Sequence, residues 1–389
     1  MKYNFDEIIE RRNTDCVKYD AAHVFFGTND LLPMWIADMD FRTPDFILEA
    51  IKERLSHPIL AYFYHNEDFY NAIISWMERR HHWHIEKEWI HFSPGIVSGL
   101  AMLVQAFSNE GDNVIIQPPV YHPFYYVINH QHRNLVTNPL KLEGDTYKMD
   151  LEDLETKLKA GAKILILCNP HNPVGRCWTP KELQVLGELC LQYNCLVVSD
   201  EIHADLILPG YTHTPMASVS PQIANNTITC MAPSKTFNIA GLATSELIIP
   251  NLELGKKYEE YLDHRMHLQG GNTFGDVALV AAYTKGDEWL EELKLYIAEN
   301  VRYAKEFIAN HLPDIKTYHQ EATYVLWVDF NGLGISHEEL SKRLVDDAKL
   351  GFNDGRIFGD NGDCFMRINL ACPKSLVEEA MTRIKKTFY

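Results

Sequence analysis

The order of strands and helices in this sequence predicts an α/β fold, in which a mostly parallel sheet is covered by helices and a smaller α+β domain follows. Apolar strand-like runs alternate with amphipathic helical runs through the middle of the chain. These strand-like runs are continuously apolar, which is typical of strands buried on both faces of a parallel sheet. From about Asp287 onward the alternation stops, and helical runs surround two longer strand-like runs.

Local signals place the elements of the middle region. The helix after Gly95 has one apolar face and ends at Gly111-Asp112, and Asp150 caps the next helix. Thr179, Pro180 and Glu182 form a capping box that opens a helix reaching about Tyr193. The predicted strands cover residues 114–116, 163–168, 195–199 and 227–231, with a further possible strand at 90–92.

In the C-terminal region we predict helices at 289–311, 336–348 and 375–384, the last two opened by capping boxes at Ser336 and Ser375. The predicted strands are residues 323–330 and 365–370, and residues 351–355 are interpreted as a turn region. The expected division is an N-terminal segment (1–44) that packs with the small domain, a large domain (45–285) and a small C-terminal domain (286–389).

Composition excludes several classes of partner. The sequence has 36 basic and 53 acidic residues and a formal charge of -17, which disfavours binding to nucleic acid or to anionic membrane surfaces. None of the eight cysteines forms a Cys-x-x-Cys pair, and several lie in apolar runs, as buried free thiols do. The sequence contains no signal-peptide pattern and no apolar run of membrane-spanning length. We therefore expect a protein of the reducing cytoplasm.

Chemically versatile side chains follow the predicted strands. Tyr121, Asn172, Asp200, His203 and Lys235 each come directly after a strand, and strand ends of a parallel sheet meet at one crevice. This set matches the needs of a pyridoxal 5'-phosphate (PLP) ring. Lys235 supplies the amine that attaches the cofactor, Asp200 pairs with the pyridine nitrogen, Asn172 and His203 donate to the ring oxygen, and Tyr121 stacks on the ring.

The cofactor phosphate needs its own contacts. Gly95, Ile96 and Val97 open a predicted helix, whose backbone N–H groups and dipole suit a phosphate. Ser234 is either a phosphate ligand or a residue whose hydroxyl only supports the turn.

Four motifs resemble those of fold-type I PLP-dependent enzymes of the class I/II aminotransferase superfamily. These motifs are residues 169–175, 199–203, 234–241 and 367–369. Residues 32–41, the Asp-Glu-Ile-His run at 200–203 and residues 369–373 further resemble the branch of MalY/PatB-type cystathionine β-lyases. The resemblance extends from about Leu32 to Tyr389 and implies a PLP-dependent carbon–sulfur β-lyase that releases a thiol, pyruvate and ammonia.

The resemblance also implies further roles. Arg367 would bind the substrate α-carboxylate, together with Asn172, while Trp35 and Ala37 lie in the segment that closes over the substrate. Tyr62, or its neighbour Tyr64, would reach the cofactor phosphate of the partner in a homodimer. Asn272 and Thr273 would lie near the partner's active site.

Two positions depart from the superfamily pattern at the predicted phosphate. Ala243 stands where an arginine is common, and Ala232 where a serine is frequent. These departures leave open how the phosphate is held. Ser234, Gly95, Ile96 and Tyr62 are the residues that could compensate.

Two other functions remain open from the sequence. In the lyase Lys235 removes the α-proton, and Lys235 or Tyr121 is the proton donor to the leaving thiolate. An aminotransferase shares every step up to the carbanion and differs only in whether the cofactor carbon C4' is reprotonated. A regulatory protein that retains PLP is the second alternative, although the full set of site residues argues against it. Residues 81–84 (His-His-Trp-His) are interpreted as the solvated end of a charged helix, so we expect no metal site there.

Overall fold

The computed structural model describes residues 2–268 and 270–389. Met1, at the start of the predicted N-terminal segment, and Gln269, within the predicted large domain, lie outside the described residues. Short elements occupy the N-terminal part of the chain: α1 (Val17–Asp20), α2 (Ala22–Phe26) and β1 (Leu32–Pro33).

The central part of the chain contains most of the helices and strands. Its helices are α3 (Asp45–Ser56), α4 (Glu67–His81), α5 (Ile96–Phe107), α6 (Pro123–Asn129), α7 (Leu151–Lys159), α8 (Pro180–Gln192), α9 (Pro221–Ala224), α10 (Pro233–Thr236), α11 (Leu252–Tyr261) and α12 (Thr273–Lys285). Its strands are β2 (Ile90–Ser93), β3 (Asn113–Ile116), β4 (Asn134–Thr137), β5 (Lys141–Glu143), β6 (Thr146–Lys148), β7 (Ile164–Cys168), β8 (Leu196–Asp200), β9 (Thr227–Met231) and β10 (Ser245–Ile248).

The C-terminal part is helical around a small sheet. Its helices are α13 (Asp287–His311), α14 (His337–Lys342) and α15 (Lys374–Phe388), and its strands are β11 (Lys316–Thr317), β12 (Val325–Asp329), β13 (Leu350–Gly351), β14 (Asn353–Asp354) and β15 (Phe365–Asn369). Short 3-10 helices lie at Lys87–Trp89, Met216–Ser218, Ala240–Leu242, Asn331–Leu333 and Gly355–Phe358, and π-helical turns at Leu262–Met266 and Arg343–Asp347.

The predicted α/β fold is confirmed. Seven strands form one sheet in the order β2-β10-β9-β8-β7-β3-β4. Neighbours from β9 to β4 are parallel, whereas β10 runs antiparallel to both β9 and β2. Every residue of β7 and β9 is buried, and β7 accordingly reads as a continuous apolar run in the sequence.

A second sheet of four strands, in the order β11-β12-β15-β14, forms the core of the C-terminal part. Its strand pairs are antiparallel. The N-terminal part joins it through β1, which pairs in parallel with β13, so that Leu32 lies opposite Leu350. Phe5 also packs edge-on against Trp289 of α13, with the ring centroids 5.7 Å apart. The start of the chain is thus tied to the C-terminal part by backbone pairing and by apolar contact.

Helix starts show where local sequence signals were sufficient. At α8 the capping box predicted at Thr179 is complete, because Thr179 and Glu182 bond to each other's backbone N–H. At α14 only the Ser336 half forms, and the Glu339 carboxylate instead accepts from Arg343 Nε at 2.6 Å. The capping box predicted at Ser375 is wrong.

Helix α15 begins one residue before Ser375, at Lys374, with Pro373 as its N-cap. Pro373 has no side-chain hydroxyl or carboxylate to accept a hydrogen bond, so neither half of a capping box forms there. The interpretation of residues 351–355 as a turn region is also incomplete, because β14 and part of β13 lie within it.

All eight cysteines are free thiols, and seven of them are buried. No helix in the described part of the chain is both long enough and apolar enough to cross a membrane.

Candidate active site

Most of the predicted site residues meet in a cavity of about 220 Å³ at the carboxyl ends of the central parallel strands, but Arg367, Trp35 and Tyr62 do not line it. The predicted residues that line it are Ala37, Gly95, Ile96, Val97, Tyr121, Asn172, Asp200, His203, Ser234 and Lys235. Ser98, Cys168, Ile202 and Ala240 line it as well. The convergence follows from the topology, because β7, β8 and β9 are parallel neighbours and end at the same edge of the sheet.

Lys235 lies in the short helix α10, directly after β9. Its Nζ donates a hydrogen bond to the carbonyl oxygen of Ala37 at 2.6 Å. Burial lowers the pKa of Lys235 to about 8, and the positive charge of Arg367 acts in the same direction. Asp38 and Asp200 oppose this shift. Because an ordinary lysine has a pKa near 10.5, a much larger fraction of this amine is neutral at physiological pH.

Asp200 is the last residue of β8 and is buried. Its Oδ1 accepts a hydrogen bond from the backbone N–H of Ile202 at 3.2 Å. Burial raises the pKa of Asp200 to about 7; the charge of Glu201 adds to this, while the Ile202 N–H and the charge of Lys235 act against it. A carboxylate in this environment is stabilised by any cation that binds beside it.

His203 and Tyr121 are held in their neutral forms. Burial lowers the pKa of His203 to about 3, and the charges of Lys235 and Arg367 contribute. His203 Nδ1 has no hydrogen-bond partner among the described residues. Burial also raises the pKa of Tyr121 to about 12, so its hydroxyl keeps its proton. Both side chains can therefore act as neutral hydrogen-bond donors in the cavity.

Arg367 lies on β15 and is buried. Its guanidinium donates to Asn172 Oδ1 at 3.1 Å, to the carbonyl oxygen of Trp35 at 3.0 Å and to Asn353 Oδ1 at 2.6 Å. Burial lowers its pKa to about 10. Asn172 lines the cavity, whereas Arg367 and Trp35 do not, so Arg367 is connected to the cavity lining through its contact with Asn172.

Ala37 lines the cavity from the segment Met34–Phe41, here called the strap. Asn369 Nδ2 donates to the carbonyl oxygens of Ile36 and Asp38, at 2.7 and 2.6 Å. The Ala37 carbonyl oxygen also accepts from the hydroxyl of Tyr324 at 2.8 Å. Tyr324 and Asn353 were missed as site residues, since neither lies at the end of a strand of the large sheet and neither belongs to a recognisable motif.

At the other end of the cavity, Gly95 is the N-cap of α5 and has a φ of 119°. This left-handed conformation favours glycine, and Ile96, Val97 and Ser98, whose backbone N–H groups have no partner within the helix, line the cavity. Ser98 lies in this first turn and was also missed. Ala243, where an arginine is common in the superfamily, does not line the cavity.

The structure does not bring Tyr62 or Tyr64 to the cavity of their own chain. Both side chains are exposed, Tyr62 completely and Tyr64 at 82%. They lie in an irregular stretch between α3 and α4. Their predicted role at a partner's cofactor stays a prediction.

The interpretation of residues 81–84 as a solvated face is wrong for His81 and Trp83, which are both buried. The contacts of His81 show why. Its ring is buried, and Nε2 lies 3.0 Å from Asp205 Oδ1. Asp205 in turn accepts from the Thr236 hydroxyl at 2.8 Å, next to Lys235. His82 and His84 are exposed, as expected. No group of three or more potential metal ligands occurs in the described part of the chain.

The residues present fit PLP. Such a cofactor requires neutral hydrogen-bonding groups, an acid, an amine and backbone N–H groups. Here these are His203 and Tyr121, Asp200 with its raised pKa, Lys235 with its lowered pKa, and the first N–H groups of α5. The unpartnered Nδ1 of buried His203 is a polar atom that a bound ring oxygen can satisfy.

Sequence comparison assigns the family. The profile described as aminotransferase class I and II matches residues 29–384, so the chain belongs to this family. Within it, the chain is 46% identical to cystathionine beta-lyase PatB of Bacillus subtilis, across 98% of this chain and 99% of that protein. It is 32% identical to protein MalY of Escherichia coli, across 97% of each. These relatives confirm the predicted resemblance to the MalY/PatB branch.

Structural comparison agrees. A PLP-bound putative aminotransferase from Clostridium difficile superposes with a TM-score of 0.97 at 44% identity and covers all of both chains. The superposition confirms the fold over the whole length.

Proposed function

We propose that this protein is a PLP-dependent carbon–sulfur β-lyase that acts on L-cystathionine or L-cysteine-type substrates. The observation that carries the proposal is that Lys235 and Asp200 line one cavity, and that Arg367 is hydrogen-bonded to Asn172 of the same lining. Burial shifts the pKa of all three residues; the charge of Arg367 adds to the lowering of the Lys235 pKa, whereas the charge of Asp200 opposes it. The similarity to PatB supports the choice of a lyase within the family.

PLP, when bound, provides the electron sink that stabilises the negative charge left on the substrate α-carbon. Lys235 Nζ would attach it, and Asp200 would pair with the pyridine nitrogen. Asn172 and His203 would donate to the ring oxygen, and Tyr121 would pack on the ring. The backbone of Gly95, Ile96 and Val97 would hold the phosphate at the start of α5, and Ser234 would either join it or support the turn.

Lys235 performs the proton chemistry. With the substrate amine bound in its place, the neutral Nζ of Lys235 would remove the α-proton, which its pKa of about 8 permits near neutral pH. The C–S bond then breaks with its electron pair on sulfur, and Lys235 or Tyr121 protonates the thiolate. Addition of water yields pyruvate and ammonia, so no second substrate is consumed.

Arg367 orients the substrate by binding the α-carboxylate. Asn172 holds the guanidinium from one side and the Trp35 carbonyl from another. Trp35 and Ala37 belong to the strap, so the same segment that lines the cavity through Ala37 contributes to substrate binding.

Transamination is the second candidate, supported by the similarity to the Clostridium difficile putative aminotransferase. The test is to incubate purified holoenzyme with L-cystathionine and no oxo acid. Sustained release of pyruvate and ammonia in equal amounts supports the lyase. Turnover only after a 2-oxo acid is added assigns an aminotransferase. Absence of both reactions, with PLP retained, would favour a regulatory protein.

We further propose a homodimer in which Tyr62, or Tyr64, reaches the partner's phosphate, with the loop at Asn272 and Thr273 nearby. The full exposure of Tyr62 supports this, because large aromatic side chains are seldom left entirely in solvent. The test mixes a Lys235→Ala subunit with a Tyr62→Phe subunit under conditions that allow exchange. One site of the hybrid then has both intact residues, so recovered activity supports sharing and no recovery contradicts it.

The division at residues 44 and 285 and a cytoplasmic location also belong to this proposal. Eight free thiols, seven of them buried, support a reducing compartment.

A further inference from the structure

The immediate surroundings of Arg367 are polar but uncharged. Its guanidinium contacts three oxygen atoms: Oδ1 of Asn172, the carbonyl oxygen of Trp35 in the strap, and Oδ1 of Asn353 in β14. The ring of Phe358 lies beneath it, with its centroid 4.9 Å from Cζ. No carboxylate among the described residues forms an ion pair with this guanidinium.

A buried positive charge without a counter-ion is costly to maintain. Water is displaced from the guanidinium, and amide or carbonyl oxygens return only part of the lost solvation. Arg367 also retains a donor, because its buried Nε has no partner among the described residues. The charge and this donor together leave the guanidinium able to bind one further anionic group.

Asn353 is the cross-strand neighbour of Arg367. The two residues lie directly opposite each other in the antiparallel pair β14–β15, so their side chains share one face of the sheet. The Asn353 Oδ1 contact, at 2.6 Å, is the shortest of the three acceptor contacts. An aspartate has almost the same shape as asparagine and would form a buried ion pair at this position.

We propose that Asn353 is a positioning residue that aims the Arg367 guanidinium at the cavity without neutralising it. Its amide oxygen orients the guanidinium, and its lack of charge leaves the full attraction available for a substrate carboxylate. The inference rests on the proposed role of Arg367 and extends it: Asn353 makes the site selective for amino acids over simple amines.

Two ligands measure this selectivity directly. L-Alanine and ethylamine both carry an amine that can react with bound PLP, and they differ only in the carboxylate. Neither carries a sulfur leaving group. Their dissociation constants are obtained from the change in cofactor absorbance of the holoenzyme, and the ratio of the two constants reports the contribution of the carboxylate.

The variants are Asn353→Asp and Asn353→Ala. In Asn353→Asp the new carboxylate competes for the guanidinium, so we expect the preference for L-alanine to fall about 100-fold. In Asn353→Ala the guanidinium loses one orienting acceptor but keeps its charge, and we expect a fall of about 10-fold. Ethylamine binding stays unchanged in both variants. With L-cystathionine, KM rises in the same order while kcat changes little.

Asn331→Asp is the matched control, because it adds the same charge at an exposed position of the C-terminal part. Its ligand preference should equal that of the unmodified protein. If Asn353 had only a structural role, its variants would instead weaken the binding of both ligands together. Asn353→Ala would then be the more damaging change. Either result overturns the proposal.

Arg367→Lys separates this inference from the proposed function. If Arg367→Lys lowers the preference for L-alanine and the Asn353 variants do not, only the role of Asn353 fails. If Arg367→Lys leaves the preference for L-alanine unchanged, the assignment of Arg367 to the substrate carboxylate fails, and the role of Asn353 fails as well.

Discussion

Two groups of buried or partly buried charges in this protein are arranged in opposite ways. The strap cluster consists of Arg11, Lys18, Asp38 and Asp40, and the cavity cluster of Asp200, Lys235 and Arg367. In the strap cluster, Lys18 Nζ lies 2.6 Å from Asp40 Oδ2, and Arg11 lies 2.9 Å from Asp38. In the cavity cluster, each charged group contacts neutral oxygen or N–H groups instead.

The pKa shifts reflect this difference. Burial acts to lower the pKa of Lys18, but the charges of Asp40 and Asp38 outweigh it and the pKa is raised. For Lys235 and Arg367 burial prevails, and both pKa values fall. Paired charges hold the strap in place, whereas unpaired charges are kept available for ligands. Four changes test this comparison, in order of decreasing expected effect.

Lys235→Ala should remove turnover almost completely, by a factor on the order of 10⁴ or more, since attachment of the cofactor and proton transfer depend on one amine. The absorbance of the covalently attached cofactor should disappear together with activity. Thermal unfolding of the apoprotein measures whether the fold is intact. Survival of both absorbance and turnover would refute the assignment.

Asp200→Asn keeps the size of the side chain and removes its charge. Without the carboxylate the pyridine nitrogen is no longer held protonated, and we expect kcat to fall by about 10²–10³. Attachment of PLP to Lys235 should persist, as measured by absorbance. A variant with normal kcat would show that Asp200 does not pair with the cofactor.

Lys18→Met removes one cation from the strap cluster and leaves Asp40 with Arg11 as its remaining partner. We expect the free energy of unfolding to fall by about 3 kcal/mol, because a buried carboxylate loses part of its compensation. Urea unfolding measures this, and kcat at a temperature well below unfolding should change far less than in Asp200→Asn. The reverse pattern, normal stability with lost activity, would contradict the division into a structural and a functional cluster.

The smallest effect concerns pH. Only the neutral amine of Lys235 can attack the aldehyde of PLP, so the rate at which apoprotein captures PLP should rise as pH increases. Because the pKa of Lys235 is lowered to about 8, the rise should be tenfold per pH unit below 8 and should level off above it. A free lysine derivative in the same buffers provides the control. A rise that continues towards pH 10 would show that burial does not lower this pKa.

Much of the fold followed from local sequence signals. Strand β9 was predicted with its observed bounds, and β3, β7 and β8 to within one residue, because continuous apolar runs are a strong signal for buried parallel strands. The complete capping box at Thr179 likewise needs only residues of its own turn. The failures at Ser375 and Ser336 arose where a motif competes with neighbours: Pro373 starts α15 earlier, and Arg343 takes the Glu339 carboxylate.

The site residues also divide into those that could be predicted from local signals and those that could not. Residues at strand ends, such as Asp200 and Lys235, could be predicted to converge because parallel topology brings those ends together. Asn353, Tyr324 and His81 could not be predicted as polar neighbours of the site. Each makes its contact with a residue more than ten positions away in sequence, across packed elements.

The sequence by itself therefore determined the class of fold, and it predicted Lys235 and Asp200 as cofactor residues from residue type at the ends of strands, which is a local property. The predicted role of Arg367 came from resemblance to the family. Only the tertiary structure decided which buried charges are paired and which remain available, and that Asn353 faces Arg367. Burial and pairing are set by elements distant in sequence, and they control the pKa of each group through the water that packing removes.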